Sequence, residues 1–123
     1  MAGRKKKSET EILSGLIIKG IQDKKGKDIV QLDLTNVKNA ICDSFIICHG
    51  TSRVQVEALA NAIEAEVTKA VGVKPSHREG FENAEWILLD YFNVVVHVFQ
   101  ENIRGFYKLE NLWADAEINH FES

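Results

Sequence analysis

Two apolar-rich runs, Trp86–Asp90 and Val94–Phe99, flank the dipeptide Phe92-Asn93. Such runs around so short a gap predict an antiparallel strand pair closed by a two-residue turn. In that register Tyr91 faces Val94, Leu89 faces Val96 and Ile87 faces Val98, giving a face that is apolar but for one phenol and turned to the core. The opposite face pairs Asp90 with Val95, Leu88 with His97 and Trp86 with Phe99. A carboxylate and an imidazole beside two large aromatics suit a recognition surface better than a core.

Helical spacing marks Ile12, Leu13, Leu16, Ile17 and Ile21, with Ser8 and Glu11 spaced as a capping box before them. Gly20 weakens this helix, and Asp23 to Lys27 ends it. Asp28 to Leu34 alternates as a half-buried strand, and Phe45 to Cys48 is a continuous apolar strand suited to a sheet interior. His49 to Ser52 turns the chain into a second helix, capped by Thr51 or Ser52, with Val56, Leu59, Ala60, Ile63, Val67 and Val71 along its stripe. Val73 to Asn83 holds the single proline and reads as a connector with room for a short edge strand. Leu109, Leu112, Trp113 and Ala116 fit one face of a last helix. The order predicts one α/β domain, a mixed sheet of about four or five strands packed with helices. Residues 1–7 are read as a disordered basic terminus, 8–116 as the domain and 117–123 as a frayed tail.

The net charge of −3 conceals an asymmetry. Residues 1–30 carry eight Lys/Arg against four acids, whereas from Ser76 onward nine acids meet only Arg78, Arg104 and Lys108. An acidic body repels phosphate backbones and attracts basic partners, so direct RNA contact is expected to be minor or absent. No apolar run is long enough to cross a bilayer, and no signal-peptide segment follows Arg4–Lys7; a cytoplasmic protein with no membrane partner is expected. Cys42 and Cys48 then read as reduced thiols.

Candidate chemistry is thin. Cys48 and His49 are adjacent on a strand and point to opposite faces, His77 and His120 stand apart, and no pair has metal-site spacing. Gly50-Thr51-Ser52 is similar to a phosphate-binding turn, yet capping explains the same residues. The paired carboxylates of a nucleotidyl transfer are missing, since Asp33 and Asp43 each stand alone. His97 is the best single acid–base candidate, but Asp90 lies two pairs away along its face. Trp113, Tyr107 and Phe106 read mostly as core. No cofactor, no metal and no catalysis are expected.

The segments Asp43-Ser-Phe-Ile-Ile, Gly50-Thr-Ser-Arg-Val-Gln-Val, Glu79-Gly, Glu85-Trp-Ile-Leu-Leu-Asp-Tyr91, Val94-Val-Val-His-Val-Phe99, Arg104-Gly-Phe-Tyr107 and Leu109-Glu-Asn-Leu-Trp113 occur in this order. Together they closely resemble the Iojap family of ribosomal silencing factors, in register from about Leu16 to Ala116. The resemblance implies a nucleotidyltransferase-like α/β fold without the transferase carboxylates. It also implies docking on protein L fourteen of the large ribosomal subunit, a block to joining of the small subunit, lowered translation under nutrient shortage or in stationary phase, and a homodimer when free. The chain departs from the family pattern at Ser44, Phe92-Asn93, Lys108 and Asn111. The change at Phe92-Asn93 bears on the tight turn, because Phe92 tolerates positive φ less readily than Asn93.

On this reading Trp86, Leu88, Asp90, His97 and Phe99 form the docking face with Tyr91 at its rim, and Glu85 and Glu110 pair with partner cations. Two rivals stand beside it: an assembly factor for the large subunit that uses the same surface, and a nucleotide-binding enzyme built on Gly50–Ser52 and His97.

Overall fold

The computed structural model describes residues 2–113 and 115–123, with the backbone alone for 2–8. Its elements are α1 (Ala2–Asp23), β1 (Lys27–Asp33), β2 (Ser44–Gly50), α2 (Arg53–Val71), β3 (His77–Glu79), β4 (Trp86–Asp90), β5 (Val94–Gln100), α3 (Glu101–Tyr107), a 3-10 helix (Leu109–Trp113) and β6 (Glu117–Phe121). The sheet has six strands in the order β3-β4-β5-β2-β1-β6. Only β2 and β5 run parallel; the other neighbours are antiparallel. The mixed α/β class is as expected, with one strand more than the sequence suggested.

α1 and α2 cover one face of this sheet. Ile17, Ile21, Leu59, Ile63 and Val67 pack there on Ile46, Cys48, Ile87, Leu89, Val96 and Val98. Gly20 is where α1 crosses α2, since an added Cβ would sit 3.0 Å from the Ile63 Cα. The helix-weakening glycine is thus a close-approach residue. On the other face a second core of Val30, Leu32, Leu34, Phe45, Ile47, Val95, Phe99 and Leu109 lies beneath the 3-10 helix and the loop around Val37 and Ala40. Gln31, on the polar side of β1, is not solvated. It lies under α1, donating to Ser44 Oγ at 3.1 Å and to Ser14 Oγ at 3.4 Å.

Three sequence expectations need correction at the ends. α1 begins at Ala2, so Ser8 stands inside the helix and segment 2–7, set apart as disordered, is helical backbone. Ala2 and the Arg4–Lys7 run are strong helix formers, and the helix runs through Gly3. The expected frayed tail contains β6, which pairs Ile118 with Leu32 and His120 with Val30, so the folded unit does not end at 116. The last helix expected from Leu109, Leu112, Trp113 and Ala116 is only a 3-10 turn over Leu109–Trp113, and the short helix before it, α3, was not foreseen. Gly105 and the short length of α3 leave too little periodicity to read.

The hairpin forms in the predicted register: Trp86 opposes Phe99, Leu88 opposes His97 and Asp90 opposes Val95. Its turn keeps two residues, but Phe92, not Asn93, takes the positive φ, at +79°. The Asn93 N–H donates to the Tyr91 carbonyl at 3.0 Å, making Phe92 the centre of a γ-type turn. Asp90 Oδ1 accepts from the Phe92 N–H at 2.8 Å and holds the turn from the strand end.

Candidate functional site

The second face of the sheet is covered unevenly. Over β5, β2 and β1 it lies beneath the 3-10 helix; toward β3 and β4 it opens. Trp86, Leu88 and Asp90 are half-buried there, beside exposed His77 and Glu79 of β3. His97 and Phe99 lie below them, only 5% and 0% exposed, so these two are floor rather than contact surface. Tyr91, expected at the rim, is buried on the opposite, helix-covered face. The alternation that placed it opposite Val94 already sends it there.

Trp86 is the centre of an aromatic cluster. Its ring lies 4.8 Å from Phe99 and 5.0 Å from Tyr107, centroid to centroid. Its Nε1–H donates to His97 Nδ1 at 3.0 Å. Phe45 meets the imidazole edge-on at 4.8 Å and is itself braced by Trp113 at 5.8 Å. Beyond Tyr107, Phe106 and Leu112 are 79% and 71% exposed. The expectation that Phe106 and Tyr107 belong to the core therefore fails. α3 sits at the margin of the sheet, where nothing covers the ring of Phe106 and Tyr107 stays half exposed. Together with Trp86 and Leu88 they give this margin an apolar lip, which is the kind of exposed patch that marks an interaction site.

Next to Trp86 lies a cleft of about 600 Å³ lined by Glu79, Gly80, Phe81, Glu82, Asn83 and Glu85, with Arg78 at its wall. Arg78 is bound by both oxygens of Glu64 at 2.9 Å, which leaves the acids of the cleft uncompensated by it. Glu85 thus belongs to an acidic group that sequence reasoning saw only in part. Gly80, at φ +90°, carries the cleft floor over β4; a Cβ there would overlap the Trp86 carbonyl oxygen.

Glu110 has another task. It accepts from the Nη2 group of buried Arg104 at 3.1 Å, and Arg104 Nη1 donates to the Asp28 carbonyl at 2.7 Å and to His49 Nδ1 at 3.0 Å. A bulge in β1 between Lys27 and Val30, with Asp28 at φ +46°, turns that carbonyl toward the guanidinium. Arg104 therefore ties α3 and the 3-10 helix to β1 and β2. One of only three cations in the acidic stretch from Ser76 onward was the available signal.

The titratable groups of this region are shifted by burial. Burial pushes the His97 imidazole down to about 4 and the Cys42 and Cys48 thiols up to about 11 and about 12. His49 is also pushed down, first by burial and then by Arg104. None of these groups is a poised base or nucleophile at neutral pH. In the Gly50–Ser52 turn, Ser52 Oγ accepts from the Gln55 N–H at 3.1 Å and the Thr51 N–H donates to Gln55 Oε1 at 2.8 Å, so capping engages it. Among the described residues no group of three or more His, Cys, Asp or Glu could hold a metal ion, and no helix is long and apolar enough to cross a membrane.

The family model described as ribosomal silencing factor during starvation matches residues 6–123. The chain belongs to the ribosomal silencing factor family. It is 40% identical over 109 residues to the ribosomal silencing factor RsfS of Halalkalibacterium halodurans, covering 89% of this chain and 91% of that one. It is 42% identical over 96 residues to the Bacillus subtilis factor of the same name, covering 78% and 80%. A crystal structure of a Chromobacterium violaceum protein superimposes with a TM-score of 0.79 at 38% identity, over 85% of each chain. The family is named for a regulatory act on ribosomes.

Proposed function

We propose that this protein acts in the cytoplasm as a ribosomal silencing factor that docks on protein L fourteen of the large subunit and sterically blocks joining of the small subunit when nutrients run short. Trp86, half-exposed in an aromatic setting beside an acidic cleft, is the observation that carries this reading. Trp86 and Leu88 supply the apolar centre, with Tyr107 and Phe106 extending it. Glu79, Glu82 and Glu85 meet the cations of a basic ribosomal protein and set orientation and on-rate. No chemical step is required; the body of the factor occupies the surface that the other subunit needs. In isolation the protein is proposed to pair with a second copy, which sedimentation of the free factor tests.

Sedimentation with purified large and small subunits tests the central reading. The factor is expected to travel with large subunits alone and to reduce joined ribosomes. Trp86→Ala is expected to weaken that association by about 2 kcal/mol, roughly 30-fold. Unimpaired joining with no co-migration would overturn the proposal.

A further inference from the structure

We propose that His97 is a positioning residue that never meets the partner: it fixes the Trp86 indole in the one orientation that docking uses. This inference rests on the docking reading above. His97 and Trp86 are diagonal neighbours across the hairpin, since Leu88 opposes His97 and Phe99 opposes Trp86. Their side chains meet through the indole N–H donated to Nδ1 at 3.0 Å. At 5% exposure the imidazole is out of a partner's reach, whereas the indole above it is half-exposed.

Three features make the imidazole a fixed acceptor rather than a casual neighbour. Phe45 closes on it edge-to-face at 4.8 Å and Phe99 lies nearly parallel to it at 6.3 Å, so the buried ring has aromatic neighbours on two sides. Accepting at Nδ1 requires the neutral tautomer with its proton on Nε2, and Nε2 is buried without a hydrogen-bond partner among the described residues. The ring therefore sits where it serves Trp86 and forgoes a second hydrogen bond. Burial, which disfavours the imidazolium, keeps the Nδ1 lone pair available. A tryptophan held by its only polar side-chain atom, and in tilted contact with the rings of Phe99 and Tyr107, has less rotamer freedom to lose on binding.

Wild type, Trp86→Ala, Trp86→Phe, His97→Phe, His97→Asn and the double variant Trp86→Phe/His97→Phe are titrated with purified large subunits, with folding checked by circular dichroism. His97→Phe keeps an aromatic ring but has no acceptor, and is expected to weaken binding roughly three- to tenfold. The Asn Oδ1 stands where Nδ1 stood, so His97→Asn is expected to retain most of the affinity. In the Trp86→Phe background, which has no indole N–H, adding His97→Phe is expected to change little. Equal losses in His97→Asn and His97→Phe, or additive losses in the double variant, would overturn the positioning role. Wild-type binding by His97→Phe alongside lost binding by Trp86→Ala would sink it too, leaving the docking face intact. Wild-type binding by Trp86→Ala would instead remove the docking face itself. A further readout needs no variant: nitrogen-15 NMR of the unmodified protein is expected to show coupling across the hydrogen bond between the Trp86 indole nitrogen and His97 Nδ1. Its absence, with both signals assigned, counts against the proposal.

Discussion

Phe92 occupies the tip of the hairpin at φ +79°, a conformation that disfavours a side chain, and is 78% exposed. Packing does not repay the strain; the Asp90 carboxylate and the carbonyl of Tyr91 hold the turn. Phe92→Gly is therefore expected to raise stability by about 1 kcal/mol in urea unfolding, since positive φ is free to glycine. Lower stability would mean that the exposed ring contributes contacts of its own. Asp90 also becomes a poor site for a charge-reversal test, because Asp90→Arg removes the turn's hydrogen bond together with the charge. At His97 the folded imidazole takes a proton only near pH 4, against an ordinary value of 6.5. Between those limits the unfolded chain binds the proton and the folded chain does not, so stability falls as pH drops through that window. His49, pushed the same way, adds to the slope. Melting temperatures from pH 7 to 4 should fall more steeply for wild type than for His97→Asn, and parallel curves would refute this.

At the scale of elements, the hairpin was legible and the margin around it was not. Strand alternation has a period of two, so once the turn length is set every opposition from Trp86–Phe99 to Asp90–Val95 follows. α3 offered no comparable signal, and β6, with the sequence Glu-Ile-Asn-His-Phe, looks like a polar tail until β1 gives it a partner. Arg104 connects these parts. Replacing it with Met removes the donor for the Asp28 carbonyl, His49 Nδ1 and Glu110 together. Arg104→Met should cost at least about 2 kcal/mol of stability, since buried acceptors are left without partners. It should also weaken binding to large subunits, because α3 carries Phe106 and Tyr107. A variant as stable as wild type would show that the clamp is dispensable.

Across the whole molecule, charge and shape divide the labour. The negative carboxyl-terminal part led to the expectation of a basic partner, and the cleft collects Glu79, Glu82 and Glu85 beside the apolar lip. Reversing Glu82 and Glu85 to Lys should lower the association rate with large subunits more than it raises the dissociation rate. The difference should shrink in high salt, because screening weakens interactions between exposed charges. A change confined to dissociation would argue that these acids sit in desolvated contacts instead.

By itself the sequence determined the α/β class, the hairpin register and the membership of its two faces, because hydrophobic burial imposes periods of 2 and 3.6 that a chain must display. It also carried Trp86 as a member of the expected docking face. The tertiary structure alone decided which residues of that face are surface and which are floor. His97 and Phe99 sank beneath Trp86, Glu110 was taken by Arg104, and Phe106 and Tyr107 came out. Alternation assigns a side chain to a face of a sheet. What covers that face depends on segments distant in sequence, here the 3-10 helix and the loop before β2, whose packing no local pattern encodes.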